Sequence, residues 1–580
     1  MSISRKLENG YKIIIKEIKE EEKILPRVTK EEIDKYFDTL NENKILGWES
    51  KLCESKLSIR DFSSVTDADI LSEEFTDKKT AKIIKGDIER TKVMESIYMD
   101  NFKDYLYQFI IYYLNKNNIL YKQGLNEIAG PFILLKYKIH ISFTKIYTIF
   151  TCFIDKFLLN YFSESDFYSL KSSLSLINLL LRYHSPEIFQ LFEYSLIFPD
   201  LYATSWLLTL FSNKCSLDMV YHLWDKLILF DDPLFIHFFI VALLIKNKNK
   251  FFEVDCNIIL SVLSKFRFNS MDEINIILDM ALDLRNNTPN SFYLLAEDLN
   301  IFIQGSNNLK ELYEYYNPDN MLSLPIFPSE IFNITYKDLI GCPEENCTNF
   351  FLKNKYFEKE DKCIFCRNKN IKPNLFYIIF DLRIFEEILD NNDDNVNNNN
   401  KKTKYISSSY FSGFLPKTIT LTKEDFNNKN FPKNILKEYL EDKENTHFIL
   451  MTSDTDDFEK YEKEYYRRKK DDKRGSKVGV FYKVIKELDE EKVEELKRKS
   501  IKDYNLLMEY NNLKKLIEEM NKEDFKHVSY VYGGYKNVHA FAMKYGIELL
   551  EHQKNCALCN VRKKSFFLIE FFIFYEIIIL

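Results

Sequence analysis

The stretch Leu174-Ser-Leu-Ile-Asn-Leu-Leu-Leu-Arg-Tyr-His184 indicates the fold of the first half of the chain. Its apolar residues recur at i, i+3 and i+4, the spacing of an amphipathic helix. Ser185-Pro186-Glu187 follows it, and an N-cap residue, a proline and an early carboxylate in this order predict a new helix. From about Lys44 to Gly305 such patterns follow one another without sustained alternation, so this region is predicted to be all-α.

Beyond about Leu324 the pattern changes to short apolar runs separated by helical sequence. Leu375–Phe380, His447–Met451 and Val528–Tyr532 are predicted strands, and Asn505–Ile517 is a predicted helix between the last two. Short buried strands that alternate with helices are typical of a small parallel α/β domain. The fold class is therefore predicted as multidomain, with an all-α domain followed by an α/β domain.

Four segments of biased composition lie outside these patterns. Residues 1–40 are charged and predicted to form a helical extension, whereas 390–404 (mostly Asn, Asp and Lys) and 460–477 (a charge run) are predicted solvated insertions. The apolar tail 561–580 contains two glutamates and is short for a membrane span. We interpret the tail as a frayed end or read-through of non-coding sequence, with a membrane-touching tail as the alternative.

The composition excludes several classes of protein. The 580 residues include 81 Lys and Arg and 88 Asp and Glu, a net charge of −7, and only 13 Gly and 13 Pro. Without a basic block we expect no nucleic-acid partner. The sequence contains neither G-x-x-x-x-G-K-[ST] nor G-x-G-x-x-G, so no phosphate-binding loop of those types is expected. The N-terminus has no apolar signal core, which favours a cytoplasmic protein.

Three motifs in the helical half point to one family. They are Ile84-Lys-Gly-Asp-Ile-Glu-Arg-Thr91, Tyr121-Lys-Gln-Gly-Leu-Asn126, and Phe198–Phe211 followed by Leu223-Trp-Asp225. Together they resemble the TBC family of Rab GTPase-activating proteins, with its signatures I-x-x-D-x-x-R and Y-x-Q-G. The resemblance implies a partner GTPase of the Rab family that brings its own GTP and magnesium.

The resemblance assigns catalytic roles to Arg90 and Gln123. GTP hydrolysis requires a positioned water and compensation for charge that develops around the γ-phosphate. Arg90 would be the arginine finger that supplies this charge, and Gln123 a glutamine finger whose amide orients the water. Five supporting residues are implied as well: Ile84, Asp87, Tyr121, Gly124 and Asn126. Asp87 would orient the arginine across one helical turn. The structural alternative is a surface Asp–Arg helix pair and a solvent-facing glutamine.

A second resemblance lies in the α/β half. Asp381-Leu-Arg383, Gly413–Thr420, Met451–Asp454 and Val528–Tyr535 are similar to segments of rhodanese-like domains. A working rhodanese needs a cysteine nucleophile in the loop after the strand at 447–451, and that loop, Thr452–Asp457, has none. This domain is therefore expected to have no sulfurtransferase activity and to serve in binding.

A TBC domain followed by an inactive rhodanese-like domain resembles the TBC domain family member 23 group. This resemblance implies vesicle trafficking between endosomes and the trans-Golgi. The expected organisation is a TBC domain at 41–305, a linker at 306–335 and a rhodanese-like domain at 336–560. Animal members lack the two fingers that Arg90 and Gln123 provide here. One hypothesis is therefore a Rab GTPase activator; the alternative is a non-catalytic tether or adaptor that binds golgin-type coiled coils. Either would be cytoplasmic and at most peripheral to Golgi or endosomal membranes.

The cysteines suggest a zinc site. Cys342 and Cys347 are followed by Cys363 and Cys366, a spacing at which four thiolates can close a tetrahedron around zinc. Cys556 and Cys559, with His552 nearby, form a third pair that could replace the first. Thiols without metal, a disulfide or a redox pair remain alternatives. Structural zinc is thus the one cofactor predicted, and none is expected for catalysis.

Overall fold

The structure is a computed structural model that describes the chain in segments. Apart from isolated positions, the described residues are 42–53, 64–73, 77–91, 101–302, 308–335, 375–389, 403–407, 413–455, 501–552 and 556–559. The predicted N-terminal extension, the charge run at 460–477 and the apolar tail lie outside them.

Helices follow one another up to residue 316, as the spacing of apolar residues predicts. They are α1 (Glu42–Cys53), α2 (Asp67–Ser72), α3 (Lys78–Arg90), α4 (Phe102–Asn117), α5 (Leu125–Ile139), α6 (Phe143–Phe157), α7 (Tyr168–His184), α8 (Pro186–Tyr194), α9 (Pro199–Thr209), α10 (Leu217–Phe230), α11 (Phe235–Lys246), α12 (Lys248–Phe252), α13 (Cys256–Lys265), α14 (Met271–Asn286), α15 (Ser291–Asp298) and α16 (Leu309–Tyr316). Helix α8 begins at Pro186, the residue at which the sequence predicts a new helix. This part of the fold is helical.

Local sequence fixes where several of these helices begin. The side chain of Asp77 accepts a hydrogen bond from the Lys79 N–H and caps α3, and Ser142 caps α6 in the same way. Apolar faces then pack into the core, where the indole of Trp224 stacks on the ring of Phe132 at a centroid distance of 5.4 Å. Helix α3, which carries the first motif, thus begins after a capping residue and has buried residues of its own.

The remaining described elements include a five-stranded parallel sheet. Its strands are β1 (Leu324–Ile326), β2 (Phe376–Asp381), β5 (Thr418–Thr420), β6 (Thr446–Met451) and β7 (Val528–Val531), in the order β1-β7-β6-β2-β5. The register pairs Ile379 with Ile449, and Ile449 with Ser529. A separate antiparallel hairpin joins β3 (Phe385–Leu389) and β4 (Thr403–Ser407), and the helices are α17 (Pro328–Thr335), α18 (Lys423–Asn427), α19 (Lys433–Leu436), α20 (Ile501–Lys522) and α21 (Gly534–Tyr545).

The sheet buries both of its faces, as parallel sheets do. Successive side chains of β6 point to opposite faces, so Phe448 and Leu450 pack with α20, while Ile449 and Met451 pack with α17 and α21. All six residues of β6 are buried. The predicted strands at 375–380, 447–451 and 528–532 therefore correspond to three central strands, and the predicted helix at 505–517 lies within α20.

Two predicted irregular segments contain regular structure. The segment 306–335, predicted as a linker, contains α16, β1 and α17, and β1 pairs with β7. Strand β1 is only three residues long and includes Pro325, so it gives too short a pattern to recognise. In the predicted insertion 390–404, the last two residues begin β4, and the others lie outside the described residues.

The contacts divide the chain into two compact units. One contains 1–177, 195–282 and 296–317, and the other contains 178–194, 283–295 and 318–580. Within the segments that the structure describes, no helix combines the length and apolar character needed to cross a membrane.

Candidate functional site

The first motif places Arg90 at the C-terminal end of helix α3. Ile84 is fully buried and anchors the preceding turn, as expected. Arg90 is the last helical residue, because Thr91 leaves helical geometry with φ −62° and ψ 122°. The Arg90 side chain is 74% exposed, whereas Asp87 is 4% exposed. A cation therefore projects into solvent from a turn with a buried apolar base.

Asp87 connects the two predicted finger motifs. Its Oδ1 accepts a hydrogen bond from Arg90 Nη2 at 2.6 Å, and its Oδ2 accepts one from the Tyr121 hydroxyl at 3.0 Å. Burial raises the pKa of the Tyr121 phenol, and the nearby Asp87 charge raises it further, so Tyr121 keeps the proton that it donates. The carboxylate thus holds the arginine from one side and the second motif from the other.

Asn126 completes this network in the interior. Its Nδ2 donates to the Thr91 hydroxyl at 2.8 Å and to the Asp87 carbonyl at 3.3 Å. Its Oδ1 accepts the Gly124 N–H at 3.2 Å. Asn126 is 3% exposed, so these bonds replace those that it would make to water. The side chain therefore joins the end of α3 to the turn before α5.

Gly124 shapes the turn that carries Gln123. Its φ of +107° is a conformation that residues with a Cβ rarely adopt, and it directly precedes α5. A Cβ at this position would lie 3.6 Å from Leu208 Cβ, which is ordinary contact with the third motif. Gln123 itself is exposed in the turn. The backbone conformation of Gly124, rather than crowding, is what requires glycine here.

The structure thus brings all seven predicted site residues into one region: Ile84, Asp87, Arg90, Tyr121, Gln123, Gly124 and Asn126. Thr91 belongs to the same network, and sequence reasoning missed it. Its hydroxyl donates to the Asp87 carbonyl at 3.0 Å and accepts from Asn126. A threonine directly after the motif arginine was the available signal.

The third motif forms the core behind this turn. Helix α9 contains Trp206, which is 1% exposed and stacks on Phe211. Trp224 is fully buried and donates from Nε1 to the Leu210 carbonyl at 3.0 Å. The two tryptophans of the third motif therefore belong to the buried core behind the turn.

Residues 40–252 match the family model described as "Rab-GTPase-TBC domain". The helical region therefore contains a TBC domain. The domain boundary predicted at residue 305 lies beyond the match and stays a prediction.

Curated relatives match parts of the chain. TBC domain-containing protein kinase-like proteins of Homo sapiens and Gallus gallus are each 30% identical over 112 residues, 19% of this chain and 12% of their own length. The protein of that name from Dictyostelium discoideum is 26% identical over 231 residues, 39% of this chain and 20% of its own. The chain thus matches at most a fifth of the length of these relatives.

Among solved structures, the Ypt/Rab-GAP domain of Gyp1p is 18% identical, with a TM-score of 0.32 over 42% of this chain and 79% of that one.

The loop after β6, which is predicted to correspond to the nucleophile loop of a rhodanese, makes several internal hydrogen bonds. Glu509 Oε2 accepts the Ser453 N–H at 2.7 Å, and Glu509 Oε1 accepts the Ser453 hydroxyl at 3.0 Å. The Tyr535 and Lys536 N–H groups donate to the carbonyls of Thr452 and Ser453. Ser453 is fully buried. These contacts fix the conformation of the loop.

Arg383, from the Asp381-Leu-Arg383 segment, is also buried. Its guanidinium bonds both oxygens of Asp381, donates to the Gly413 carbonyl at 3.0 Å and lies over the Tyr535 ring at 3.7 Å from the centroid. Such a planar, multiply bonded pair connects β2 to two neighbouring segments.

The predicted zinc ligands have two different outcomes. Cys342, Cys347, Cys363 and Cys366 lie outside the described residues. Cys556 and Cys559 are described, and they lie beside His539 and His552.

Proposed function

We propose that the TBC domain accelerates GTP hydrolysis by a Rab-family GTPase, with Arg90 and Gln123 acting on the nucleotide of that partner. The observation that carries the proposal is the network through Asp87. One buried carboxylate bonds the guanidinium of Arg90 and the Tyr121 hydroxyl at the start of the turn that exposes Gln123. The side chains of Arg90 and Gln123 are exposed, whereas Asp87, Gly124 and Asn126 beside them are buried.

The chemistry of GTP hydrolysis is consistent with two exposed side chains that rest on buried neighbours. An arginine inserted in trans stabilises charge at the transferring phosphoryl group, which contributes about 10³–10⁵ in kcat for GTPases. The bond to Asp87 uses one N–H of Arg90 and restricts its rotamers before the partner arrives, so less conformational entropy is lost on binding. The Gln123 amide both donates and accepts, as the orientation of a water molecule requires.

A panel of GTP-loaded Rab proteins tests this proposal. Single-turnover hydrolysis is measured with the full chain, with Arg90→Ala and with Gln123→Ala. Lys82→Ala is the matched control because it removes an exposed cation from the same helix. We expect acceleration of at least one Rab, loss of acceleration in both finger variants and retention in the control. If the full chain accelerates GTP hydrolysis by no Rab in the panel, the proposed function is refuted.

The second candidate function is a non-catalytic tether or adaptor of the member 23 type, peripheral to Golgi or endosomal membranes. Its support is the loop Thr452–Thr455, which has no cysteine and whose Ser453 is bonded to a buried carboxylate. We propose that the parallel-sheet region is rhodanese-like and binds partners such as golgin-type coiled coils. Binding of such coiled coils by the full chain, with every Rab unaffected, would favour this function over the first.

A further inference from the structure

Four metal-binding side chains meet near the C-terminal end of the described residues. One ligand atom from each of His539, His552, Cys556 and Cys559 lies within 4.8 Å of the other three. His539 and Cys556 are buried, with 1% and 2% exposure. Two imidazoles and two thiols form one of the common ligand sets of structural zinc sites.

The separations match the edges of a tetrahedron around zinc. Zinc–sulfur bonds of about 2.3 Å and zinc–nitrogen bonds of about 2.0–2.1 Å give sulfur–nitrogen edges of about 3.6 Å. His539 Nε2 lies 3.5 Å from the Sγ of Cys556 and 3.5 Å from that of Cys559. Cys559 Sγ lies 3.6 Å from His552 Nε2. Three edges therefore have the length that a shared metal ion would impose.

Both histidines direct their Nε2 atoms toward the centre of the cluster. His539 Nε2 and His552 Nε2 are 2.9 Å apart, slightly less than the edge of about 3.3 Å expected between two nitrogen ligands. A single hydrogen bond between the rings would also allow this distance. It would not explain why both sulfur atoms also approach His539 Nε2.

The surrounding fold brings these residues together from separate elements. His539 lies on α21, and a bridge between Phe414 and Leu550 holds the chain just before His552. Gly413, with φ +105°, passes so close that a Cβ there would lie 3.5 Å from His552 Cβ. Leu558, between the two cysteines, packs on the core that includes Val538. The described residues between 547 and 559, called the C-terminal segment below, are thus folded back on α21.

We propose that His539, His552, Cys556 and Cys559 bind one structural zinc ion that fastens this segment to α21. Both thiols would release their protons to solvent on binding, and each imidazole would bind as the neutral form through Nε2. With four protein ligands no position is left for water or substrate, so the role is structural and not catalytic. The site does not depend on the GTPase chemistry proposed above.

X-ray absorption at the zinc edge, with metal analysis of the purified full chain, tests the ligand set. We expect one zinc per chain with two sulfur and two nitrogen neighbours. If Cys342, Cys347, Cys363 and Cys366 bind a second ion, the result becomes two zincs with an average of three sulfurs and one nitrogen. A chain without zinc, or a shell of sulfur alone, would overturn the proposal.

Substitutions test which residues bind the ion. His539→Ala is expected to lower the zinc content by one ion per chain, whereas His539→Cys, which keeps four ligands, is expected to retain it. His140→Ala and Cys215→Ser remove an imidazole and a thiol elsewhere and are the controls. Retention of all zinc in folded His539→Ala would contradict the assignment. The His539→Cys variant separates loss of a ligand from loss of the fold.

Discussion

Arg90 Nη2 donates a hydrogen bond to Asp87 Oδ1 at 2.6 Å, although the arginine side chain is 74% exposed and the aspartate only 4%. An ion pair with one exposed partner contributes little to stability, typically about 0–1 kcal/mol. The main effect of this ion pair is therefore to orient the Arg90 side chain. It directs a cation outward from a fixed point at the end of α3, while Asp87 is itself held by the Tyr121 hydroxyl.

The first prediction concerns Tyr121→Phe. The change removes the hydroxyl that donates to Asp87 at 3.0 Å and leaves the ring in place. A lost bond to a charged acceptor is worth about 1.5–3 kcal/mol, so Asp87 should hold Arg90 less firmly. We expect the stimulated GTPase rate to fall about tenfold, which corresponds to about 1.4 kcal/mol.

A double-mutant cycle separates this positioning role from a purely structural one. If Tyr121 acts through Arg90, Tyr121→Phe should have no further effect on the rate in an Arg90→Ala background. Equal losses with and without Arg90 would show that the hydroxyl acts independently of the arginine.

The second prediction concerns Gly124→Ala. The positive φ of +107° should make alanine destabilising by about 1–2 kcal/mol, even though its Cβ would meet neighbours only at 3.6 Å and beyond. Gly86 is the matched control, because it lies exposed on α3 and a Cβ added there would have no neighbouring atom within 4 Å. Gly86→Ala should stabilise by about 0.5–1 kcal/mol.

Urea unfolding of the two glycine variants measures these effects. Opposite shifts of the midpoint are the expected result. A neutral Gly124→Ala would mean that the turn before α5 relaxes to accept a side chain, which would contradict a requirement for glycine at this position.

The third prediction concerns the pH dependence of the sheet unit. Burial raises the pKa of Glu509 from 4.5 to about 7, against the opposing effect of bonds from the Ile384 and Ser453 N–H groups. Between these two pH values the folded state holds a proton that the unfolded state has released. The free energy of unfolding should therefore fall as pH rises from about 4.5 to 7, by at most about 3 kcal/mol.

Comparison of wild type with Glu509→Gln isolates this contribution. The variant should be less stable at pH 5, because one amide cannot accept both backbone N–H groups. Its deficit should shrink as pH rises to 8. Pulse proteolysis in urea gives the midpoints, and Glu518→Gln on the same helix controls for loss of a carboxylate. A deficit that does not change with pH would contradict the assigned proton.

The sequence sufficed to predict those elements whose patterns are long or strongly apolar. The helix at 505–517 and the strand at 447–451 were both confirmed, because buried elements of this length have a clear composition. Strand β1 was missed, since three residues with a proline resemble a turn. The pairing of β1 with β7 depends on a contact some 200 residues away that no local pattern encodes.

The same distinction applies to the sites. The seven candidate site residues were predicted because each lies in one of two short motifs, and their catalytic roles stay predictions. The bond between Asp87 and Tyr121 could not be predicted, because it joins residues 34 positions apart. His539 was not predicted as a metal ligand. It lies 13 residues before His552 within a helix, and only the fold of the C-terminal segment brings it to Cys556 and Cys559.

Single-turnover GTP hydrolysis with Arg90→Ala and Arg90→Lys tests the central claim most directly. On a Rab that the wild-type chain activates, we expect Arg90→Ala to lose about 10³-fold or more. Arg90→Lys should recover only a small part, because an ammonium lacks the planar fork of donors. Hydrolysis at the wild-type rate by Arg90→Ala would contradict the account of Arg90 as the catalytic finger.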